Sequence, residues 1–247
     1  MGKLEDRTAI VTGASRGIGK AIALAFGLRG AKIVATARTT EALEALVVRL
    51  AEIGTEAIAV TADLGVEADI ERIIDKSVSR FGCVDILVNN AAIIHPRIDL
   101  VDLDVQLWRK VIDVNLTGAA LLTKAILPHM IERKSGKIIN ISSIGGRTGA
   151  KGRTAYRASK AALISLTESV AAEVRPYGVE VNCICPAGVD TEGYREAFGG
   201  KGKAENPKLM LPDEIAEVAV FLASDKSSAI TGTAIDAFGG GNPLFGK

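Results

Sequence analysis

The sequence is poor in aromatic residues and has almost no net charge. Aromatic residues make up 4% of the 247 residues and apolar residues 48%, so the core must be built from Ala, Val, Ile and Leu, which suits helices packed closely on a parallel sheet. Thirty basic and 29 acidic residues leave a net charge of +1, which gives no global field that would attract a nucleic acid or a membrane surface. We therefore expect no nucleic acid and no membrane as a partner.

Cysteine is also scarce, with Cys83, Cys183 and Cys185 in apolar, strand-like surroundings. An odd number in such surroundings favours reduced buried thiols over a disulfide framework, and we expect no metal site. The sequence has no cationic and apolar leader before the first predicted strand and no apolar run of about 18 residues. It has Asp6 where a myristoylation signal needs Ser or Thr. These absences predict a cytoplasmic protein.

Short apolar runs alternate with helical stretches along the chain. Seven such runs begin at Thr8, Ala31, Ala57, Val84, Gly136, Val179 and Thr233. Their near-continuous apolar character predicts strands covered on both faces, and hence a parallel sheet. Pro212 and the acidic residues after it predict the start of the helix that precedes the last strand. With about six main helices, the pattern predicts a single α/β domain over residues 1–247, a Rossmann-type doubly wound sheet with its ligands at the carboxyl ends of the strands.

Two segments that follow strand ends are predicted to be loops beside the ligand site. One is "IIHPR", residues 93–97, and the other is the stretch rich in Gly, Lys and charge that starts at Glu192. The second lies in an expected substrate loop at about 190–210 and is a candidate lid. A solvated surface loop is the alternative that the residues leave open.

The stretch "TGASRGIG", residues 12–19, lies between the first predicted strand and the first predicted helix. Its glycines let backbone N–H groups and the helix N-terminus approach a pyrophosphate closely. A tight turn without a ligand is the alternative. The position favours a dinucleotide site.

The region after the second strand, "VATARTT", indicates which dinucleotide is bound. Sites for NAD usually place an acidic residue here, on the ribose 2′-hydroxyl, but this chain has Ala37 followed by Arg38. The guanidiniums of Arg38 and Arg16 suit a 2′-phosphate. We therefore expect NADP(H) rather than NAD(H). The alternative is that Arg16 and Arg38 are solvated charges beside a helix and bind no phosphate.

Tyr156 and Lys160, in "YRASK", are four residues apart in a predicted helix and so share one face. Hydride transfer to a ketone builds negative charge on its oxygen, which must receive a proton. An ammonium about 4 Å from a phenol is worth at most about 4 kcal/mol, or roughly three pKa units. We therefore expect Lys160 to lower the pKa of Tyr156 into a working range. Ser143, after the fifth strand, would donate to the substrate oxygen, although a helix cap is its ordinary role.

The order and spacing of these motifs resemble the classical short-chain dehydrogenases/reductases over essentially all 247 residues. The matching stretches are "TGASRGIG", "TADL", "NNAA", "DVNLTG", "ISS" and "YRASK". The resemblance implies an oxidoreductase that transfers hydride between NADP(H) and a carbonyl or secondary alcohol. It implies the catalytic residues Asn115, Ser143, Tyr156 and Lys160, with Asn115 holding a water in a proton relay. The expected cofactor-binding residues are Gly13, Ser15, Arg16, Gly17, Ile18, Gly19, Arg38, Asp63, Leu64, Asn90, Ala91, Tyr156, Lys160, Pro186, Val189 and Thr191.

Within this family the chain looks most like the 3-oxoacyl carrier-protein reductases, whose acidic partner docks on basic helix ends beside the cleft. Lys134 fits one such place, but Tyr177 stands where a second base is expected, and Arg175 is displaced by two residues. An acyl carrier protein is therefore a candidate partner. Two long amphipathic helices resemble those that pair in homotetramers, with a homodimer as the alternative.

The substrate is left open between a 3-oxoacyl thioester and a small hydroxy acid, sugar or other alcohol. Arg153 lies three residues before Tyr156, at a position that faces the substrate in this family, so a small anionic substrate would fit. The expected substrate residues are His95, Gly145, Arg153 and Arg195, and Arg97 and Arg147 are further candidates for the same mouth. The alternative is that these arginines are solvated charges at the rim of the site and do not bind the substrate. A non-catalytic nucleotide sensor or scaffold would be expected to have lost catalytic residues, and here all four are present.

Overall fold

A computed structural model of the chain describes residues 4–200 and 202–241. Within these residues a seven-stranded sheet forms the centre, and every pair of neighbouring strands is parallel. The strands are β1 (Thr8–Thr12), β2 (Lys32–Ala37), β3 (Ala57–Thr61), β4 (Ile86–Asn89), β5 (Gly136–Ile141), β6 (Val179–Pro186) and β7 (Ala234–Ala237). The predicted doubly wound α/β fold with seven strands is confirmed.

The strand order β3-β2-β1-β4-β5-β6-β7 reverses direction at β1. Ala9 of β1 pairs with Ile33 of β2 on one side and with Ile86 of β4 on the other. Because the chain leaves these strands toward opposite faces of the sheet, the loops after β1 and β4 diverge and open a crevice at the carboxyl edge. This crevice is where the predicted site residues gather.

Helices cover both faces of the sheet. They are α1 (Gly17–Gly27), α2 (Thr40–Glu52), α3 (Glu67–Phe81), α4 (Val105–Ile112), α5 (Gly118–Arg133), α6 (Thr154–Val174), α7 (Glu192–Phe198) and α8 (Pro212–Ala223). A π-helical turn, Asp113–Thr117, joins α4 to α5, so the described part of the chain contains the six long helices that the sequence predicts. One core lies under α1 and α8 around Ile22 and Phe26, and the other lies under α3 and α5 around Ile73 and Leu122.

The segment after β6 differs from the prediction, because part of it is helical. It was expected to be irregular from Glu192, but the first seven residues form α7. A parallel bridge between Val189 and Met210 closes the base of the segment. The expected substrate loop is therefore a flap anchored at both ends, and its residue 201 lies outside the described residues.

The continuous helix Val105–Arg133 is long and apolar enough to cross a membrane, by length and composition alone. A core helix of a folded domain passes the same test. Leu122, Ile126 and Met130 are fully buried in the second core, so packing against the sheet accounts for much of its apolar character.

The cysteines are free thiols, as expected. Cys183 and Cys185 are buried on β6 with their sulfur atoms 3.9 Å apart, and Cys83 is partly buried. Burial raises the pKa of Cys83. In the described ranges, no group of three or more His, Cys, Asp and Glu side chains forms a candidate metal site.

Candidate active site

The glycine-rich turn packs against the end of β4. Gly13 and Gly17 have left-handed φ angles of 64° and 54°. A Cβ on Gly19 would lie 2.4 Å from both Asn90 Nδ2 and the Gly13 carbonyl oxygen. Asn90 Nδ2 donates to the Thr12 carbonyl at 2.8 Å. The turn therefore requires glycine at these positions, and a side chain from the "NNAA" motif holds it.

Thr12 is a further structural residue of this turn, which the sequence analysis did not assign. Its buried Oγ1 accepts from the N–H groups of Asn90 at 2.8 Å and Ala91 at 3.0 Å, and it donates to the Val88 carbonyl at 3.1 Å. One hydroxyl thus fixes Asn90 and Ala91, two of the expected cofactor-binding residues. The sequence contains a sign of this role, because Thr12 is the first residue of the motif "TGASRGIG".

The N-terminus of α1 is open at the carboxyl edge. Arg16 is its N-cap residue and makes no side-chain capping bond, so the first N–H groups of the helix have no side-chain acceptor, and the helix dipole favours an anion beside them. Ser15 and Gly17 are partly exposed, whereas Ile18 packs on the first core. The residues present fit the pyrophosphate of a dinucleotide cofactor.

The two arginines expected at a 2′-phosphate have different surroundings. Arg16 forms a bidentate ion pair with Glu196 of α7, at 2.6 and 3.1 Å, and this hydrogen-bonded pair raises the pKa of Arg16. Arg38 is exposed after β2 and has no ion-pair partner among the residues that the structure describes. The expected pair of open guanidiniums is therefore reduced to Arg38, since α7 holds Arg16.

Five other expected cofactor residues line the same crevice. They are Asp63 and Leu64 after β3, and Pro186, Val189 and Thr191 at the end of β6 and beyond it. Asp63 Oδ1 accepts from the Gly65 N–H at 3.0 Å. A Cβ on Gly17 would lie 3.1 Å from Thr191 Cγ2. The residues after β6 therefore touch the glycine turn.

Lys160 extends from α6 to the end of β5. It is 2% exposed, its Nζ donates to the Ile141 carbonyl at 2.7 Å, and Nζ lies 5.9 Å from the centroid of the Tyr156 ring. Burial lowers the pKa of Lys160 to about 8. The side chain can therefore hold or release a proton close to neutral pH.

The phenol of Tyr156 is governed by different groups from those expected. Burial raises the pKa of Tyr156, while a hydrogen bond with Ser143 and the charges of Arg153 and Arg157 act to lower it. The expected lowering by Lys160 is not found, because that ammonium is directed to a strand carbonyl. Ser143 and two arginines are the groups that favour the phenolate.

Ser143 follows β5 and caps a short 3₁₀ turn. Its Oγ accepts from the Gly145 N–H at 2.9 Å, and its contact to the Pro186 carbonyl is long at 3.5 Å. A Cβ on Gly145 would lie 3.2 Å from Ser143 Oγ and 3.6 Å from Tyr156 Cε1. The serine is thus both a cap and a donor beside the phenol, and Gly145 leaves open the space next to them.

Asn115 lies in the π-helical turn, where its side chain is almost fully bonded. Its Oδ1 accepts from the Ile93 N–H at 2.7 Å, and its Nδ2 donates to the Ile93 carbonyl and to Ser159 Oγ, both at 3.1 Å. π-Helical turns are frequent at functional sites. These contacts join the loop after β4 to α6, and the water relay expected at Asn115 stays a prediction.

Two serines that the sequence analysis missed hold α6 in place. Ser159 Oγ donates to the Tyr156 carbonyl at 2.7 Å and accepts from Asn115. Ser142 Oγ donates to the Lys160 carbonyl at 2.7 Å. Both lie inside the motifs "YRASK" and "ISS", in which only the neighbouring residues Ser143, Tyr156 and Lys160 were assigned a function.

The residues expected at the substrate separate into two groups. Arg147 Nε is bonded to Asp236 at 3.1 Å and Arg195 Nε to Asp190 at 2.7 Å, so neither is an open charge at the mouth, contrary to expectation. His95 and Arg153 are buried, at 1% and 3% exposure. The structure brings these two together, because Arg153 donates to the His95 carbonyl.

The basic residues expected to dock a carrier protein are far from the crevice within one chain. Lys134 ends α5 just before β5, whereas Ser143 lies just after it. A six-residue strand spans about 20 Å. Lys134 therefore lies at the opposite edge of the sheet, and the expected position beside the chain's own cleft is wrong.

Comparison with known proteins agrees with this architecture. A family model described as short chain dehydrogenase matches residues 7–201. A 3-oxoacyl-[acyl-carrier-protein] reductase from Synechocystis sp. is 39% identical over 97% of this chain and 98% of its own length. A cis-4-hydroxycyclohexanecarboxylate dehydrogenase from Sinomonas cyclohexanicum is 37% identical over 95% of this chain and 96% of its own.

Two solved structures superpose over nearly the whole chain. A 3-ketoacyl-(acyl-carrier-protein) reductase from Brucella melitensis, complexed with NADH, has a TM-score of 0.90, 33% identity and coverage of 97% and 99% of the two chains. A protein from Beutenbergia cavernae with NADP bound at low occupancy has a TM-score of 0.89, 33% identity and coverage of 97% and 98%. The chain therefore belongs to the short-chain dehydrogenase/reductase family, whose members are NAD(P)-dependent oxidoreductases of alcohol and carbonyl groups.

Proposed function

We propose that this protein interconverts a carbonyl group and a secondary alcohol with NADP(H), by way of Asn115, Ser143, Tyr156 and Lys160. The observation that carries the proposal is the position of the phenol. Tyr156 lies next to Ser143, because a Cβ on Gly145 would touch both side chains, and it lies one helical turn from the buried Lys160. Both are at the edge of the sheet that also holds the glycine-rich turn.

Each side chain has a role that follows from its contacts. The cofactor, when bound, supplies or accepts the hydride at the carbonyl carbon. In reduction, Ser143 donates a hydrogen bond to the carbonyl oxygen and Tyr156 transfers its phenolic proton to that oxygen, which leaves a phenolate. Ser143 and the charges of Arg153 and Arg157 favour the phenolate. Lys160, with a pKa lowered to about 8, titrates close enough to neutral pH to return a proton to the site. Asn115 holds the first turns of α6 through Ser159.

The preference for NADP(H) rests on the exposed Arg38 after β2, where a carboxylate would favour NAD(H). An Arg38→Asp variant tests it by titration with NADPH and NADH. We expect the variant to bind NADPH roughly tenfold to a hundredfold more weakly than the wild type does, with little loss for NADH. Tighter binding of NADH than of NADPH by the wild type would overturn the preference.

The first substrate class to test is the 3-oxoacyl thioester, because of the similarity to the Synechocystis reductase. An acyl carrier protein is then a partner. A second candidate is a small hydroxy acid, sugar or other alcohol, which the Sinomonas relative favours by its own substrate. The buried cation Arg153 favours an acid within this second class.

Assembly as a homotetramer, or as a homodimer, is part of the proposal. Leu100, Val101 and Val105, at and before the start of α4, are 61%, 90% and 59% exposed. Neighbouring exposed apolar side chains are typical of a surface that another protein chain covers. The free thiols also suit a reducing cytoplasm. Light scattering on the purified protein gives the mass of the assembly, and a monomer would contradict this part.

The decisive experiment is a screen of ketones and alcohols, including acids and thioesters, with NADPH and NADP⁺ and with cofactor absorbance as the readout. We expect turnover with at least one substrate class and a preference for NADPH. Cofactor binding without turnover across the panel would instead support a nucleotide sensor.

A further inference from the structure

Arg153 is a buried cation without an acidic partner. It is 3% exposed, and its guanidinium donates to two backbone carbonyls, those of His95 and of Ala197 in α7. Its charged group also lies 4.4 Å from the ring centroid of Phe198. Across residues 4–200 and 202–241, no carboxylate lies within ion-pair distance of it, and its Nε has no hydrogen-bond partner.

Other arginines of the chain show how unusual this is. Arg16, Arg133, Arg147 and Arg195 are all more exposed than Arg153, and each pairs with a carboxylate. A buried charge is costly unless it is paired. The most buried guanidinium of this set is thus the one that has only carbonyls and an aromatic ring around it.

The surroundings of Arg153 add positive charge. Burial lowers the pKa of Arg153, and the neighbouring charges of Arg97 and Arg157 lower it further. Tyr156 is the one acidic group close enough to act in the opposite direction. The region around the phenol therefore favours an anion.

A second unpartnered atom belongs to His95, whose backbone carbonyl accepts a hydrogen bond from this guanidinium. His95 Nδ1 lies 2.6 Å from the Pro96 carbonyl, which requires the proton on Nδ1, and the buried Nε2 has no partner. His95 and Arg153 are joined through the His95 carbonyl. Two orphaned polar atoms in contacting residues mark a place that is completed by a ligand.

We infer that Arg153 is the receptor for an anionic group of the substrate. This selects the second of the two proposed substrate classes, so that the preferred substrate is a small hydroxy acid or oxo acid rather than a 3-oxoacyl thioester, an ester or a neutral alcohol. This inference rests on the proposed function, because it places the carboxylate of the substrate one helical turn from the proton donor Tyr156. The Ala197 carbonyl and the Phe198 ring occupy the guanidinium until the substrate displaces them, so α7 moves when substrate enters. Arg153 then sets specificity, and it influences proton transfer only through its charge beside Tyr156.

The test compares 3-oxobutanoate with its uncharged methyl ester and its N-acetylcysteamine thioester, as substrates with NADPH. We expect the wild type to have a kcat/KM for the acid that is at least about a hundredfold higher than for either neutral compound. In Arg153→Gln, the ratio of kcat/KM for the acid to kcat/KM for the ester or the thioester falls about a hundredfold. The charge of Arg153 also acts on Tyr156, so any further loss is common to all three substrates. Arg153→Lys, which keeps the charge, retains part of the preference.

The matched control is Arg157→Gln, on the same helix, whose guanidinium is bonded to Thr148. It removes a neighbouring positive charge but not the proposed receptor, so it should change the ratio of acid to ester much less than Arg153→Gln does. The dissociation constant of NADPH should not change in Arg153→Gln, which excludes a cofactor phosphate as the anion. An equal loss for acid and ester in Arg153→Gln, or a higher kcat/KM for the neutral compounds in the wild type, overturns the inference.

A binding measurement separates this inference from the proposed reaction. Butanoate and its uncharged isostere butanamide are titrated calorimetrically into the NADP⁺ complex of the wild type and of Arg153→Gln. We expect butanoate to bind at least tenfold more tightly than butanamide in the wild type, and equally in the variant. Equal binding in the wild type, including no binding of either, contradicts the inference. An anion preference without turnover of any carbonyl contradicts the proposed function alone.

Discussion

The two halves of the crevice differ in how complete they are. We call the turn of residues 12–19 with Asn90 and Ala91 the nucleotide side, and Ser143, Arg153, Tyr156 and Lys160 with His95 the reacting side. On the nucleotide side, two hydrogen bonds join Thr12 to Asn90 and a third joins Thr12 to Ala91. Glycines allow the turn to pack closely against these residues. On the reacting side, His95 Nε2 and Arg153 Nε have no partner.

This difference indicates which half of the crevice is specific to this protein. A cradle for a shared cofactor is held in shape by its own hydrogen bonds before the ligand arrives, and it presents the first N–H groups of α1 to that ligand. The side that selects a substrate contains buried polar groups whose partners belong to the substrate. Substitutions confined to one side therefore show whether the other side responds.

The largest effect is expected from Tyr156→Phe, which removes the phenolic proton and leaves the ring. General acid catalysis contributes about 10²- to 10⁴-fold, so kcat/KM should fall within or beyond that range. The dissociation constant of NADPH should stay within about twofold, because the nucleotide side is already complete. Steady-state kinetics and cofactor fluorescence provide the two readouts.

Tyr177→Phe is the matched control, because Tyr177 is 43% exposed at the end of α6, away from the crevice. It should keep wild-type turnover. Turnover retained in Tyr156→Phe would falsify the assignment of the proton donor.

The sequence allowed the sheet and the six long helices to be predicted, because the hydrophobic pattern is a local signal. The family resemblance placed Ser143 and Tyr156 in one expected site. The helix α7 was not predicted, since its contacts with the crevice are tertiary. The pair Arg16–Glu196 joins residues 180 apart in the chain, and no local pattern predicts it. The direction of the Lys160 ammonium depends on a side-chain rotamer and on the Ile141 carbonyl, which spacing alone does not specify.

A change confined to the nucleotide side should disturb stability and cofactor binding together. In Gly19→Ala the new Cβ would meet Asn90 Nδ2 and the Gly13 carbonyl oxygen at 2.4 Å. Overpacking of this kind costs about 3 kcal/mol, and the free energy of unfolding should fall by about that amount, with NADPH bound at least about tenfold more weakly. Urea unfolding and fluorescence titration measure the two effects.

The control for this variant is Gly149→Ala, because a Cβ on Gly149 meets nothing within 4 Å. Its free energy of unfolding should stay within about 0.5 kcal/mol of the wild type. A neutral Gly19→Ala would show that the turn shifts without cost, and the contrast between the two sides would then disappear.

Lys160 offers a test through pH, because it is a buried cation of the reacting side with a pKa lowered from 10.5 to about 8. Between these values the unfolded chain holds a proton on Lys160 that the folded chain has lost, so the stability contributed by this residue rises with pH. From pH 7 to 9.5 the wild type should gain about 2 kcal/mol relative to Lys160→Met, where the titrating group is absent. Urea unfolding at both pH values measures the difference, and an unchanged difference would contradict the lowered pKa.

The smallest effect is expected where α7 links the two sides. Glu196 holds Arg16 in an exposed ion pair, so Glu196→Gln should release that guanidinium for the cofactor and tighten the binding of NADPH by up to about fivefold. NADH, which has no 2′-phosphate, should respond less, and added salt should reduce the gain because it screens exposed charges. The same substitution in an Arg16→Gln background is the control, since no guanidinium is then left to release. If Glu196→Gln instead weakens NADPH binding, α7 stabilises the cofactor site rather than competing for it, and the two sides of the crevice are coupled through the flap.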